Sequence, residues 1–320
     1  MVAFLARAGS RMSRRDLEAT QVIERPVVTG HFRGKRIVSM GPPSSGGVLV
    51  IGLLQTYERL RERFPRANWL HLWTEASRLV FYDRANLLGD PEFVDVPVSR
   101  LVSDAYASAQ AERVSEKEPL VLPDEAEVHE GTHTTHVSVI DKDGLAVALT
   151  QTINVPFGAA LVVPGTGVLL NDEMDDFYAG GPNSFGLVGN QRNAPAAGKR
   201  PLSSMSPTFV FDDRKLVMVL GSPGGSSIPS AVAWVIREMV EAQRSGDDAV
   251  RSPRVHDQWI PNVLDVEPGF DRTLLPPDLG ARSKRPSFPI GRVQMVVLER
   301  GGWRGVSDCR DDGAPWEGAL

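Results

Sequence analysis

Thr134-Thr-His-Val-Ser-Val-Ile140 and Ala146-Val-Ala-Leu-Thr-Gln-Thr152 each follow a two-residue period, and Asp141-Lys-Asp-Gly144 lies between them. Alternation on both sides of a turn-forming tetrapeptide predicts an antiparallel β-hairpin with Thr134 at the head of its first strand. Residues 66–88 have a helical period instead. Trp69, Leu70, Leu72, Trp73, Ala76, Leu79 and Val80 form an apolar stripe that Phe81 and Tyr82 extend, and such a stripe reads as core packing. The same reasoning predicts helices over 99–115 and Ile228–Gln243, strands over Val162–Leu170 and Thr208–Leu220, and a closing hairpin around Val293–Val306. Pro276, Pro277, Pro286 and Pro289 mark an irregular stretch before that hairpin. Glu116–Thr132 is polar and acidic, without apolar periodicity, and reads as an exposed linker.

Composition narrows the function classes. The 320 residues are 42% hydrophobic and 23% charged with a net charge of −5, an ordinary globular balance without the basic stripe of a nucleic-acid binder. No apolar stretch reaches the roughly 18 residues of a membrane span. The run Val48–Leu54 is short and interrupted by Gly52. A single cysteine, Cys309, excludes an internal disulfide. The first fifteen residues carry their basic groups after a short apolar run and not before it, a poor secretory signal.

Candidate chemistry centres on Thr134. A threonine hydroxyl is a weak nucleophile until a base stands beside it, and cutting the chain just before the threonine frees its own α-amino group for that task. His129, His133 and His136 do not form a metal set: on a strand His133 and His136 point to opposite faces, and His129 lies about 13 Å from His133. Pro42–Gly47 and Gly221–Ser226 are glycine-rich, yet neither carries the lysine of a phosphate-binding loop.

Six segments, read together, resemble the γ-glutamyltranspeptidases, N-terminal-nucleophile enzymes that cleave themselves into large and small subunits. These are Ser39-Met-Gly-Pro-Pro-Ser-Ser-Gly-Gly47, Leu88-Gly-Asp-Pro91, Thr134-Thr-His136, Asn171-Asp-Glu-Met-Asp-Asp-Phe177, Lys199-Arg-Pro-Leu-Ser-Ser-Met-Ser-Pro207 and Gly221-Ser-Pro-Gly-Gly-Ser226. The resemblance implies an α+β fold, the αββα four-layer sandwich of that class. It implies Thr134 as nucleophile, a scissile bond between His133 and Thr134, and Thr152 as the hydrogen-bond partner of the nucleophile's hydroxyl. Asn154, Glu173 and Asp176 match residues that hold the donor's α-amino group, Ser203 and Ser204 those that contact its α-carboxylate, and the N–H groups of Gly224 and Gly225 the oxyanion hole. Each type suits its task. An ammonium needs converging carboxylate and amide oxygens, and an oxyanion needs preorganised backbone donors that glycine allows to approach closely.

By the same resemblance, residues 1–133 correspond to the C-terminal part of the large subunit with its linker, and 134–320 to the small catalytic subunit, together one interwoven domain. The first half of the family's large subunit, with an arginine that grips the α-carboxylate, has no counterpart here, so the fold is expected to be incomplete. A truncated start, a split gene whose separate N-terminal chain completes the fold, and an inactive remnant all fit that expectation. The resemblance further implies glutathione or another γ-glutamyl compound as donor, water or an amino acid or peptide as acceptor, no cofactor or metal, and a periplasmic or extracellular location. A glutaryl or cephalosporin acylase of the same fold is the rival reading. Against it, a donor lacking the α-amino group would leave Asn154, Glu173 and Asp176 unpaired.

Overall fold

Arg33 and Gly34 both take positive φ, 51° and 77°, the geometry of a tight two-residue hairpin turn. The turn joins β1 (Val28–Phe32) to β2 (Lys35–Ser39), after two short helices, α1 (Val2–Arg7) and α2 (Arg14–Ala19). The computed structural model describes residues 1–123, 134–299 and 302–317. The remaining strands are β3 (Thr134–Ile140), β4 (Ala146–Thr152), β5 (Thr208–Asp212), β6 (Lys215–Gly221), the short β7 (Val255–His256), β8 (Leu264–Val266) and β9 (Ser283–Lys284), then β10 (Gln294–Glu299) and β11 (Gly302–Ser307). Six of them form one antiparallel sheet in the order β1-β2-β5-β6-β10-β11, and β3 pairs with β4 alone.

Helices cover one face of this sheet. The main ones are α3 (Gly46–Arg63), α4 (Trp69–Leu87), the broken pair α5 (Val98–Leu101) and α6 (Asp104–Glu112), α7 (Ile228–Val240) and α8 (Gly246–Arg251), with a short α9 (Pro277–Ala281) beyond them. α3 packs on β1 and β2, α7 on β6, and α8 on β11. Edge-to-face rings stitch three helices together: Tyr57 meets Trp73 at 5.3 Å, and Trp73 meets Trp234 at 5.5 Å. Asn68 caps α4 by accepting from the N–H groups of Leu70 and His71. That helix is buried on nearly every side, so Glu75, Arg78, Asp83 and Arg84 lie inside with its apolar stripe. Glu75 and Arg78 pair at 3.1 Å, and Asp83 accepts from Tyr106 and Gln110, which satisfies groups that would otherwise be costly to bury.

The α+β class holds, with three differences in its elements. Val162–Leu170, expected as a strand, makes only one bridge, Val162 to Leu169, because Gly165 and Gly167 turn the chain with positive φ. Thr208–Leu220 is two strands, reversed at Asp213 with φ 53°. Residues 99–115 break at Ser103, whose side chain accepts from Tyr106 N and restarts the helix. Of the expected linker, residues 124–132 lie outside the described residues, as does His133.

The β3–β4 hairpin lies across the other face of the sheet, against β6 and β10. Its inner face carries Thr134, His136, Ser138, Thr150 and Thr152. Among the described residues nothing covers its outer face, where Val137, Val139, Val147 and Leu149 are 46%, 47%, 48% and 55% exposed. The helix layer, the six-stranded sheet and this hairpin thus supply three of the four expected layers. No described helix is long and apolar enough to cross a membrane.

Candidate active site

The hairpin register places Thr134 directly opposite Thr152, where cross-strand side chains on one face touch. Thr134 Oγ1 lies 3.3 Å from Thr152 Oγ1, and Thr152 Oγ1 in turn accepts from Asn154 N at 2.8 Å. Two residues along β3, the His136 imidazole fills the gap between hairpin and sheet. Its nitrogens meet Thr150 Oγ1 at 2.7 Å and Ser138 Oγ at 3.0 Å. A Cβ on Gly221 would come within 2.2 Å of that ring, so glycine at the end of β6 lets the hairpin sit down.

Burial pushes the His136 imidazole down to about 4, which has a measurable consequence. Between pH 6.5 and 4 the unfolded chain takes up a proton on this residue that the folded chain refuses, so its contribution to stability falls as pH falls. The drop from an ordinary 6.5 to about 4 corresponds to a loss of about 3 kcal/mol once pH has fallen through both values. Urea unfolding of wild type and His136→Gln at pH 7 and pH 4.5 should therefore show the wild type losing stability relative to the variant. Parallel pH profiles would contradict the buried neutral imidazole.

Beyond β4 the chain turns at Asn154, which is 2% exposed with φ 77° and donates from Nδ2 to Asp172 O at 3.4 Å. Asp172 precedes a single 3₁₀ turn, Glu173–Asp176, which sets the Glu173 and Asp176 carboxyl groups side by side. Burial first and Glu173 second push the Asp176 carboxyl up to about 7, while Arg84 pulls it down. Asn183 Nδ2 donates to Asp176 Oδ1 at 2.8 Å. Burial and the Asp172 charge likewise raise Glu173, whose Oε1 is buried without a hydrogen-bond partner among the described residues.

On the opposite wall, Ser203 and Ser204 are held by the segment before α3. Ser203 N donates to Pro43 O at 3.0 Å, and Ser203 O accepts from Ser45 N at 2.8 Å and Ser45 Oγ at 2.7 Å. The floor is the loop from β6 into α7. Gly224 has φ 142° and Gly225 φ 55°, both poor for any other residue. A Cβ on Gly225 would meet the Phe185 ring at 2.4 Å, and one on Gly224 would meet Gly291 Cα at 2.9 Å.

One small cavity unites most of these groups: Thr134, Thr152, Asn154, Asp176, Ser203, Ser204 and Gly225 line it with Phe185, Met205 and Ile228. Two of the expected residues sit apart from it. Glu173 does not line it but hydrogen-bonds two residues that do, Thr152 and Asp176, and Gly224 lines an adjoining cavity on the far side of Phe185. The sequence did not point to Phe185 or Arg84. Ser45 was visible only as part of the Ser39–Gly47 motif. Among the described residues no cluster of His, Cys, Asp and Glu could hold a metal ion.

A hydroxyl on a strand terminus, anionic and hydroxyl-bearing walls on either side of it, and glycine N–H groups below it form a set suited to acyl transfer from an amino-acid-like donor. Comparisons with known proteins point the same way. A family model described as Gamma-glutamyltranspeptidase matches residues 1–317. The Glutathione hydrolase proenzyme of Escherichia coli (strain K12) is 40% identical over 314 residues, which are 94% of this chain and 54% of that protein. The chain thus spans about half the length of the curated relatives it matches. Among solved structures, γ-glutamyltranspeptidase from Pseudomonas nitroreducens complexed with L-DON is 36% identical with a TM-score of 0.53, covering 58% of this chain and 100% of that one. A cephalosporin acylase from Bacillus halodurans shares the fold at a TM-score of 0.81 and 23% identity, covering 99% of this chain and 58% of that one.

Proposed function

Because the chain belongs to the γ-glutamyltranspeptidase family, we propose that it transfers and hydrolyses γ-glutamyl groups through a covalent ester on Thr134. The observation that carries this reading is the convergence of Thr134, Asp176, Ser203–Ser204 and Gly225 on one cavity. In this account the bond between His133 and Thr134 is first cut by the chain itself, freeing the Thr134 α-amino group. That amine takes the hydroxyl proton as Oγ1 attacks the donor's γ-carbonyl carbon, and returns it to the departing amine as the C–N bond breaks. Water or an acceptor amine then opens the ester. Thr152 steadies the nucleophile. Asp176, with Glu173 and Asn154, receives the donor's ammonium, while Ser203 and Ser204 receive its carboxylate. The N–H groups of Gly224 and Gly225 meet the developing oxyanion.

Hydrolysis of γ-glutamyl-p-nitroanilide beside glutaryl-p-nitroanilide tests the reading. The γ-glutamyl compound should be preferred, since its ammonium has a carboxylate waiting; preference for the glutaryl compound would support the acylase alternative instead. The donor's charge also fixes a pH dependence. With Asp176 pushed up to about 7, the free site loses that residue's negative charge as pH falls through 7. kcat/KM for the γ-glutamyl donor should rise as pH passes upward through 7 and fall by about tenfold per unit on the acid side.

The exposed face of the hairpin supports a second element of the proposal. Four β-branched or leucine side chains on a two-stranded sheet make a surface that folded chains ordinarily cover, and the relatives are about twice as long. A segment corresponding to the first half of the family's large subunit covers Val137, Val139, Val147 and Leu149, whether supplied by the same polypeptide or by a separate one. Co-expression with such a segment should slow hydrogen exchange at the hairpin and raise activity. Exchange and activity that stay unchanged in a stable complex would remove this element.

A further inference from the structure

Arg84, in the last turn of α4, is 3% exposed, and no ion pair within 4 Å joins it to a carboxylate among the described residues. A buried guanidinium without a direct counter-ion is costly to keep, so what it touches is informative. Its Nε donates to Ser45 Oγ at 3.3 Å, one terminal nitrogen to Val188 O at 3.4 Å and the other to Leu202 O at 3.5 Å. Every acceptor is neutral, and each belongs to a segment that builds the donor cavity. Ser45 holds Ser203 O through both its N–H and its hydroxyl. Leu202 immediately precedes Ser203 and Ser204. Val188 follows the turn at Asn183, whose side chain donates to Asp176.

The geometry points to Arg84 as a positioning residue for donor recognition: it ties the Ser203–Ser204 wall to the Asp176 wall and sets a buried positive charge behind both. The inference rests on reading the cavity as a γ-glutamyl donor site. Arg84 touches no substrate. A cation behind Leu202 favours an anion, such as the donor's α-carboxylate, at the serine pair. The same cation opposes the charges that disfavour an ionised Asp176. Glu173 and Asp175, from the same 3₁₀ turn, push the Asp176 carboxyl up; Arg84, from α4, pulls it down, and Asn183 lends a hydrogen bond. Burial lowers the guanidinium itself to about 10, with Asp176 acting in the opposite sense, so it stays charged at neutral pH.

The test is a titration of the aspartate carboxyl carbons by NMR on the full chain, with Asp176→Asn to assign the signal. Arg84→Gln should move the Asp176 midpoint up by about one pH unit or more, and Arg84→Lys, which keeps the charge, should leave it near the wild-type value. An unmoved midpoint in folded Arg84→Gln would overturn the inference. If Arg84→Gln does not fold, Arg84→Lys decides through the fork it loses: the donor KM should rise severalfold at an unchanged midpoint, and an unchanged KM would count against the positioning role. In donor kinetics Arg84→Gln should raise KM by about tenfold, more than it lowers kcat, and the deficit should shrink at pH values above the shifted midpoint. A uniform fall in kcat at constant KM would mean general structural damage and defeat the proposal. A wild-type chain without γ-glutamyl activity would instead defeat the donor reading, while the titration would still decide whether Arg84 governs Asp176.

Discussion

Thr134→Ala should leave the chain folded, uncut and without activity. The variant removes the hydroxyl that attacks both its own preceding carbonyl and the donor, so the loss is at least about four orders of magnitude in kcat. Its structural cost is small. Thr134 is only half-buried and its hydroxyl makes one hydrogen bond, to Thr152 at 3.3 Å, worth about 1 kcal/mol. Mass, activity and urea unfolding of the same sample separate the two effects. Residual cleavage before residue 134, or activity within tenfold of wild type, would show that another group is the nucleophile. Thr134→Ser, which keeps a hydroxyl on the strand terminus, should retain cleavage and part of the activity.

Asp176→Asn should change which donor the site accepts. The side chain keeps its shape and its place beside Asn183, whose Nδ2 can still donate to the carbonyl oxygen of the new amide. What disappears is the buried charge that answers the donor's ammonium. Losing one partner of such a pair costs about 3 kcal/mol, on the order of a hundredfold in kcat/KM for γ-glutamyl-p-nitroanilide. The glutaryl compound has no ammonium and should lose little or gain, so the ratio between the two donors should move toward glutaryl by roughly the same factor. On the acid side the pH profile should become shallower, keeping only the limb set by the Thr134 α-amino group that acts as the base. Equal losses for both donors would place the ammonium elsewhere.

Periodicity made part of this fold legible. The β3–β4 hairpin, α4, α7 and the closing hairpin each had a clean two- or 3.6-residue pattern and short breaks at their ends. α3 did not announce itself, because Gly46, Gly47 and Gly52 interrupt a run whose apolar residues are buried on all sides, with no polar face to set a period. Val162–Leu170 misled in the other direction: its valines and leucines suit a strand, but the positive φ of Gly165 and Gly167 turns the chain back before one can form. Burial of polar groups along α4 was equally hidden, since Glu75 and Arg78 satisfy each other one helical turn apart.

The candidate site divides the same way. Its members came from motifs, and the structure brings Thr134, Thr152, Asn154, Asp176, Ser203, Ser204 and Gly225 around one cavity. Residues that act at a distance left no local mark. Arg84 meets Val188 and Leu202 more than one hundred positions away in the chain, and Phe185 divides two cavities from a loop with no pattern of its own. Spacing cannot report such contacts, because they exist only once α4 lies against the serine segment.

Intact mass after incubation, with N-terminal sequencing of the products, tests the central claim most directly. Cleavage at the proposed bond yields fragments of 133 residues and the remaining 187 of the 320, the second beginning Thr134-Thr-His. A γ-glutamyl donor added to that sample should then add one γ-glutamyl mass to the 187-residue fragment alone. A single 320-residue species that still hydrolyses the donor, or a donor adduct on any other fragment, would contradict Thr134 as the N-terminal nucleophile.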